Sequence, residues 1–116
     1  MANIEVSLAL ETDMVDIEAQ RLLVWKYLDV GLITEVEPRA DTQEAVQGIV
    51  NRLKPCSQDV IAKMTIAGFY EAPVEHGGMD QSCETCVYFQ VHRRYCELPE
   101  IDLPVESHWS CRLWRI

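Results

Sequence analysis

Basic residues are scarce: ten Lys and Arg stand against nineteen Asp and Glu, for a formal net charge of −9. The deficit runs throughout, with 12 acidic and 6 basic side chains in residues 1–72 and 7 and 4 in residues 73–116. A chain of that sign repels a phosphate backbone, so nucleic-acid binding is not expected. Acidity favours solubility and basic protein partners instead. Long hydrophobic runs are missing too, well short of the roughly 20 apolar residues that a membrane-spanning helix requires. The opening MANIEVSLALETD has no basic n-region and no uninterrupted apolar h-region. No signal peptide is therefore expected, and a cytoplasmic location follows. The sequence has no phosphate loop, no nucleophile motif and no carboxylates paired for acid–base work, so nothing marks it as an enzyme. With 116 residues, 48% of them hydrophobic, it has the material for one domain plus a small appended module.

Cysteine is nearly absent from the first two thirds, where Cys56 stands alone, and is then concentrated. Cys83, Cys86, Cys96 and Cys111 are spaced C-x2-C-x9-C-x14-C, and five of the nine aromatics lie among them: Tyr88, Phe89, Tyr95, Trp109 and Trp114. A segment this short is hard pressed to bury enough apolar surface to offset its chain entropy. In a reducing compartment, clustered thiols read as metal ligands or redox groups rather than disulfides. A C-x2-C pair lets two thiolates converge while backbone N–H groups point at the sulfurs. The expectation is one metal centre on these four cysteines, holding either a 4Fe–4S cluster or Zn2+. Both sum to a charge of about −2 with four thiolates, and Arg93, Arg94, Arg112 and Arg115 are the basic residues at hand. A thiol redox role for Cys83 and Cys86 is the third reading, without the βαβ pattern that usually surrounds such a pair. Cys56, after Pro55, reads as a small buried hydrophobe outside the centre. His76, His92 and His108 are scattered singly and read as solvated or hydrogen-bonded.

Cys83-Glu84-Thr85-Cys86-Val87-Tyr88-Phe89, then Cys96-Glu97-Leu98-Pro99, then Trp109-Ser110-Cys111-Arg112-Leu113-Trp114 form a recognisable series. It resembles high-potential iron–sulfur proteins and the small iron–sulfur subunits of glycyl-radical enzymes such as benzylsuccinate synthase. In those families a C-x2-C is followed by an aromatic pair, a lone cysteine, and another cysteine preceded by Trp and followed by an aromatic. The resemblance covers residues 83–116 alone. It implies a 4Fe–4S cluster on the four cysteines, shielded by the aromatics. The implied role is electron transfer or service as an accessory subunit beside a larger protein partner. A zinc-stabilised interaction adaptor is the alternative from the residues themselves.

Ahead of the cysteines the pattern is helical. Residues 3–10 alternate with period two, which suits a short strand, with a helix start as the other option. Asp13 is placed to cap a helix that Gly31 and Leu32 would end. That helix carries apolar residues, Trp25 among them, around most of its circumference, which points to a protein partner or self-association. A short extended piece over 32–37 should precede Pro38. Asp41 with Glu44 opens a second helix ended by Pro55, and Ser57 a third, with Val60, Ile61, Met64 and Ala67 inward and Gly68 at its end. Residues 71–82, with Pro73 and Gly77–Gly78, read as a linker. The expected fold class is mainly α: a helical domain over 1–70, the linker 71–82, and an irregular, metal-stapled four-cysteine module over 83–116.

Overall fold

The structure, a computed structural model, describes residues 2–116, with side chains from Asp16 onward. Helix α1 spans Ala2–Asp29. It runs through residues 3–10, where alternation had favoured a strand; Leu, Ala and Glu are strong helix formers and the segment is continuous with the longer helix. The expected cap at Asp13 thus falls within the helix, and its side chain lies outside the described residues. Arg21, Val24 and Leu28 form the buried stripe of α1, at the spacing of one helical face. Gly31, at φ 94, ends the helix, and the Leu32 N–H returns to the Tyr27 carbonyl at 3.0 Å, as a left-handed C′ residue allows.

Helix α2 spans Gln43–Leu53 and buries Ile49, Val50 and Leu53. Its cap is Thr42, whose side chain accepts from the Ala45 N–H at 3.1 Å, one residue later than expected. Asp41 instead contacts His76 Nε2 at 2.7 Å. Helix α3 spans Val60–Ala67. Ser57 sits at φ 53 inside the preceding turn, so the cap falls to Asp59, which accepts from the Ala62 N–H at 3.1 Å. Met64 and Ala67 are buried as expected, whereas Ile61 is 43% exposed and Lys63 is buried in its stead. The Lys63 Nζ donates to the Ile101 carbonyl at 2.9 Å; its stem packs while its charged head finds an acceptor.

Residues 71–82 contain a β-hairpin. Strands β1 (Val74–His76) and β2 (Met79–Gln81) pair antiparallel, joined by Gly77 and Gly78 at φ 61 and 79. Positive φ at both turn residues suits a two-residue primed turn, for which paired glycines are apt. The last third holds β3 (Phe89–Gln90), β4 (Tyr95–Cys96) and β5 (Leu103–Pro104) in an antiparallel sheet of order β3-β4-β5.

Among the described residues, three α-helices with two antiparallel sheets make an α+β fold, and the mainly-α expectation is corrected. Strands of two or three residues are too short to print a period-two pattern. The expected irregular, metal-stapled module is corrected with it. Leu98, Ile101, Leu103, Val105, Trp109 and Leu113 lie in one hydrophobic cluster with Val24, Leu28, Leu53, Met64 and Phe69. Residues 83–116 thus draw their burial from the helices. Among the described residues no helix is long and apolar enough to cross a membrane.

The segment Trp109–Leu113 is the piece to which the others are tied. The Cys83 N–H donates to the Trp109 carbonyl at 2.6 Å, and Tyr70 and Ser110 exchange two N–H···O=C bonds at 2.9 Å. The Arg112 N–H donates to Ala67, and the Arg112 carbonyl accepts from Ala40, both at 3.0 Å. Gly68, at φ 73, lies where α3 turns toward this segment, and a Cβ there would collide with the Glu35 carbonyl. Gly68→Ala should therefore lower stability by at least ~2 kcal/mol in urea unfolding, from left-handed strain plus the collision. Gly48, inside α2, has nothing within 4 Å of a built Cβ; Gly48→Ala should raise stability by about 0.5–1 kcal/mol.

Candidate metal centre

Three separate pieces of backbone present the cysteines. Cys83 opens a 3₁₀ turn, Cys83–Thr85, preceded by Ser82 in a capping box with Thr85. The Cys86 N–H closes that turn on the Cys83 carbonyl at 3.0 Å, and the Phe89 N–H returns to the Cys86 carbonyl at 3.1 Å. Cys96 lies in β4, the central strand, opposite Phe89 on one side and Leu103 on the other. Cys111 sits on the segment that ties the fold together.

All four line one cavity of about 20 Å³, and Tyr88, Phe89, Val105 and Trp114 complete its wall. Trp114 is held there by its indole N–H, which donates to Thr85 Oγ1 at 2.9 Å. Thr85 in turn donates to the Ser82 carbonyl at 3.0 Å. No histidine or carboxylate lines the cavity. Cys56 lies apart, its thiol against the Arg52 carbonyl at 3.5 Å. All five thiols are free.

The four-cysteine cavity is electrostatically tense. Burial, then the charges of Cys111, Cys96 and Cys86, push the Cys83 thiol well above its ordinary value. Burial first, then Cys111, raises Cys96 strongly. Cys111 is pushed up to about 12, by burial first, with Cys86 adding to the shift and a backbone hydrogen bond at Leu113, Arg39 and Arg112 opposing it. Every pair among the four is thus close enough for one charge to disfavour the other. Thiolates in such a place need a positive centre between them.

The arginines expected near the site divide. Arg94 pairs with Glu106 at 2.6 Å, and Arg93 lies over the Tyr95 ring at 4.3 Å. Arg112 is buried, donating to the Ile66 carbonyl at 2.9 Å and to Glu35 at 3.2 Å. Arg115 is exposed. The cation that sequence reasoning missed is Arg39, only 4% exposed. Its Nη2 donates to the Cys111 carbonyl at 2.8 Å, and its Nε and Nη2 both reach Gln81 Oε1 at 3.1 and 2.6 Å. Nothing local could have flagged it, since 72 residues separate it from Cys111.

The donor set bears on which group fits. Tetrahedral zinc, with Zn–S bonds of about 2.3 Å, draws four sulfurs to within about 4 Å of one another. Among the described residues, no group of three or more His, Cys, Asp or Glu side chains is placed to hold a single ion. Four thiols in an apolar, aromatic-walled space are the donor chemistry that either a tetrahedral zinc or a polynuclear iron–sulfur centre uses. No protein-family model, curated protein or solved structure matches the chain.

The shift at Cys111 makes a pH prediction for the metal-free protein. A thiol whose pKa rises on folding, here from 9.0 to about 12, keeps the folded state protonated where the unfolded chain has already ionised. Its contribution is whole below pH 9.0 and is lost as pH climbs toward about 12. Urea midpoints of the metal-free chain should fall across that window, and Cys111→Ser should flatten the fall.

Proposed function

We propose that the chain is a small iron–sulfur protein in which Cys83, Cys86, Cys96 and Cys111 hold a 4Fe–4S cluster. On this reading it serves as an electron-transfer or accessory protein beside a larger protein partner. The observation that carries this is the single cavity lined by four thiols and walled by Tyr88, Phe89, Val105 and Trp114. The cluster, when bound, supplies storage for one electron at a time. Trp114 and Phe89 exclude water from the sulfurs, and the backbone turn at Cys83–Thr85 fixes the first two ligands. A thiol oxidoreductase would lower the pKa of its attacking cysteine; burial does the reverse at Cys83. A zinc-stabilised adaptor is the competing reading, and the same four thiols would carry it.

Support for a partner comes from α1, where Leu22 is 51%, Leu23 41% and Trp25 40% exposed. That apolar surface suits either a larger protein or a second copy of the chain. Free thiols in place of disulfides accord with a reducing compartment such as the cytoplasm.

Anaerobic purification followed by metal and sulfide analysis tests the reading. Expected is brown protein carrying iron and acid-labile sulfide in equal amounts, four of each per chain. Serine at any of the four cavity cysteines should abolish most of the colour, while Cys56→Ser should leave it intact. Colourless protein with one zinc per chain would sink the proposal in favour of the adaptor. For the partner, Trp25→Asp should weaken association with whatever wild-type protein retains from its host, or with itself in sedimentation.

A further inference from the structure

Arg39 and Lys63 are the two buried cations that no carboxylate pairs among the described residues, and Lys63 sends its charge to the Ile101 carbonyl. Arg21 meets Glu18 at 2.6 Å and Arg112 meets Glu35 at 3.2 Å. Among the described residues, Arg39 has no carboxylate in ion-pair contact. Its four guanidinium hydrogen bonds go to neutral acceptors: two to Gln81 Oε1, one to the Val36 carbonyl and one to the Cys111 carbonyl. Guanidinium stays charged under all ordinary conditions, so a full positive charge is held out of water without a partner ion. Burying an ion that way is expensive unless an opposite charge appears nearby.

The candidates for that charge can be ranked. Glu37 accepts from the Arg39 backbone N–H at 3.1 Å and Asp41 contacts His76, and both carboxylates are exposed to solvent, where water screens them. Cys111 is the residue whose carbonyl the buried guanidinium holds, at 2.8 Å. The guanidinium therefore faces the four-thiol cavity across one peptide group.

We propose that Arg39 is the fixed counter-charge of the four-cysteine centre, a positioning residue that sets how readily the centre accepts an electron. The inference rests on the iron–sulfur reading above. Reduction adds one electron and no proton, so the thiolate-ligated assembly becomes one unit more negative. A cation held beside it in a desolvated place favours that reduced state. Gln81 is the second half of the device, because its side-chain oxygen fixes the fork while leaving the charge unneutralised.

The test uses full-length protein loaded anaerobically with iron and sulfide, titrated with dithionite and followed by its visible absorbance. Gln81→Glu is the sharpest variant. It is nearly isosteric, keeps both hydrogen bonds to Arg39, and supplies the missing carboxylate. It should lower the equilibrium constant for one-electron reduction tenfold or more, which is about 59 mV for a one-electron couple. Arg39→Gln should shift it the same way, while Arg39→Lys and the exposed-site control Arg115→Gln should stay within threefold of wild type. If Arg39→Gln does not fold, Gln81→Glu decides alone. A loaded Gln81→Glu protein that titrates like wild type overturns the inference and leaves the cluster reading standing. Wild-type protein that takes up zinc but no iron and sulfide overturns both.

Discussion

The hydrogen bonds of Trp109–Leu113 are the constraint on which the rest depends. This one segment gives its backbone to Cys83, to Ala67 and Tyr70, and to Ala40, three places remote from one another in sequence. Ser110 adds a side-chain bond to the Ala72 carbonyl at 2.7 Å. Buried peptide groups must find partners, and these particular pairings leave little freedom in where the neighbours go. Cys83 and Cys111 come to one cavity because the segment bonds to the first and contains the second. Trp109 anchors it from the core, 1% exposed.

A second theme is how little regular sheet this α+β fold has. Strands of two or three residues leave many carbonyls without ladder partners, and long cationic side chains take up part of that role. Arg21 donates to the carbonyls of Val105, Arg93 and Arg94. Arg112 serves Ile66 and Lys63 serves Ile101. A planar guanidinium with several donors can bridge segments that do not run parallel. The irregular stretches are thereby lashed to helices α1 and α3, and the cavity inherits stiff walls from that lashing.

The parts of this arrangement legible in the sequence were those with local causes. Gly31 and Gly68 ended their helices where left-handed backbone was needed, and Met64 and Ala67 took the inward positions of α3. The cysteine spacing pointed to four residues that do line one space. Illegible were features decided by distant partners. Lys63 displaced Ile61 from the interior because the Ile101 carbonyl, 38 residues on, needed a donor. The hairpin at Val74–Gln81 hid in a stretch whose glycines look the same in a linker as in a primed turn. Arg39 carried no local signature at all, since its importance lies in Gln81 and Cys111.

The hairpin has a practical side. Gly77 and Gly78 sit at its tip with open space where side chains would stand, while Gln81 at its base holds Arg39. Surface tips of this sort accept grafted peptides better than any other part of a small domain. A fluorophore or affinity handle spliced between the two glycines would ride outside the fold, yet lie only four residues of chain from Cys83 in the wall of the cysteine cavity. The protein thus comes with its own attachment point beside that cavity.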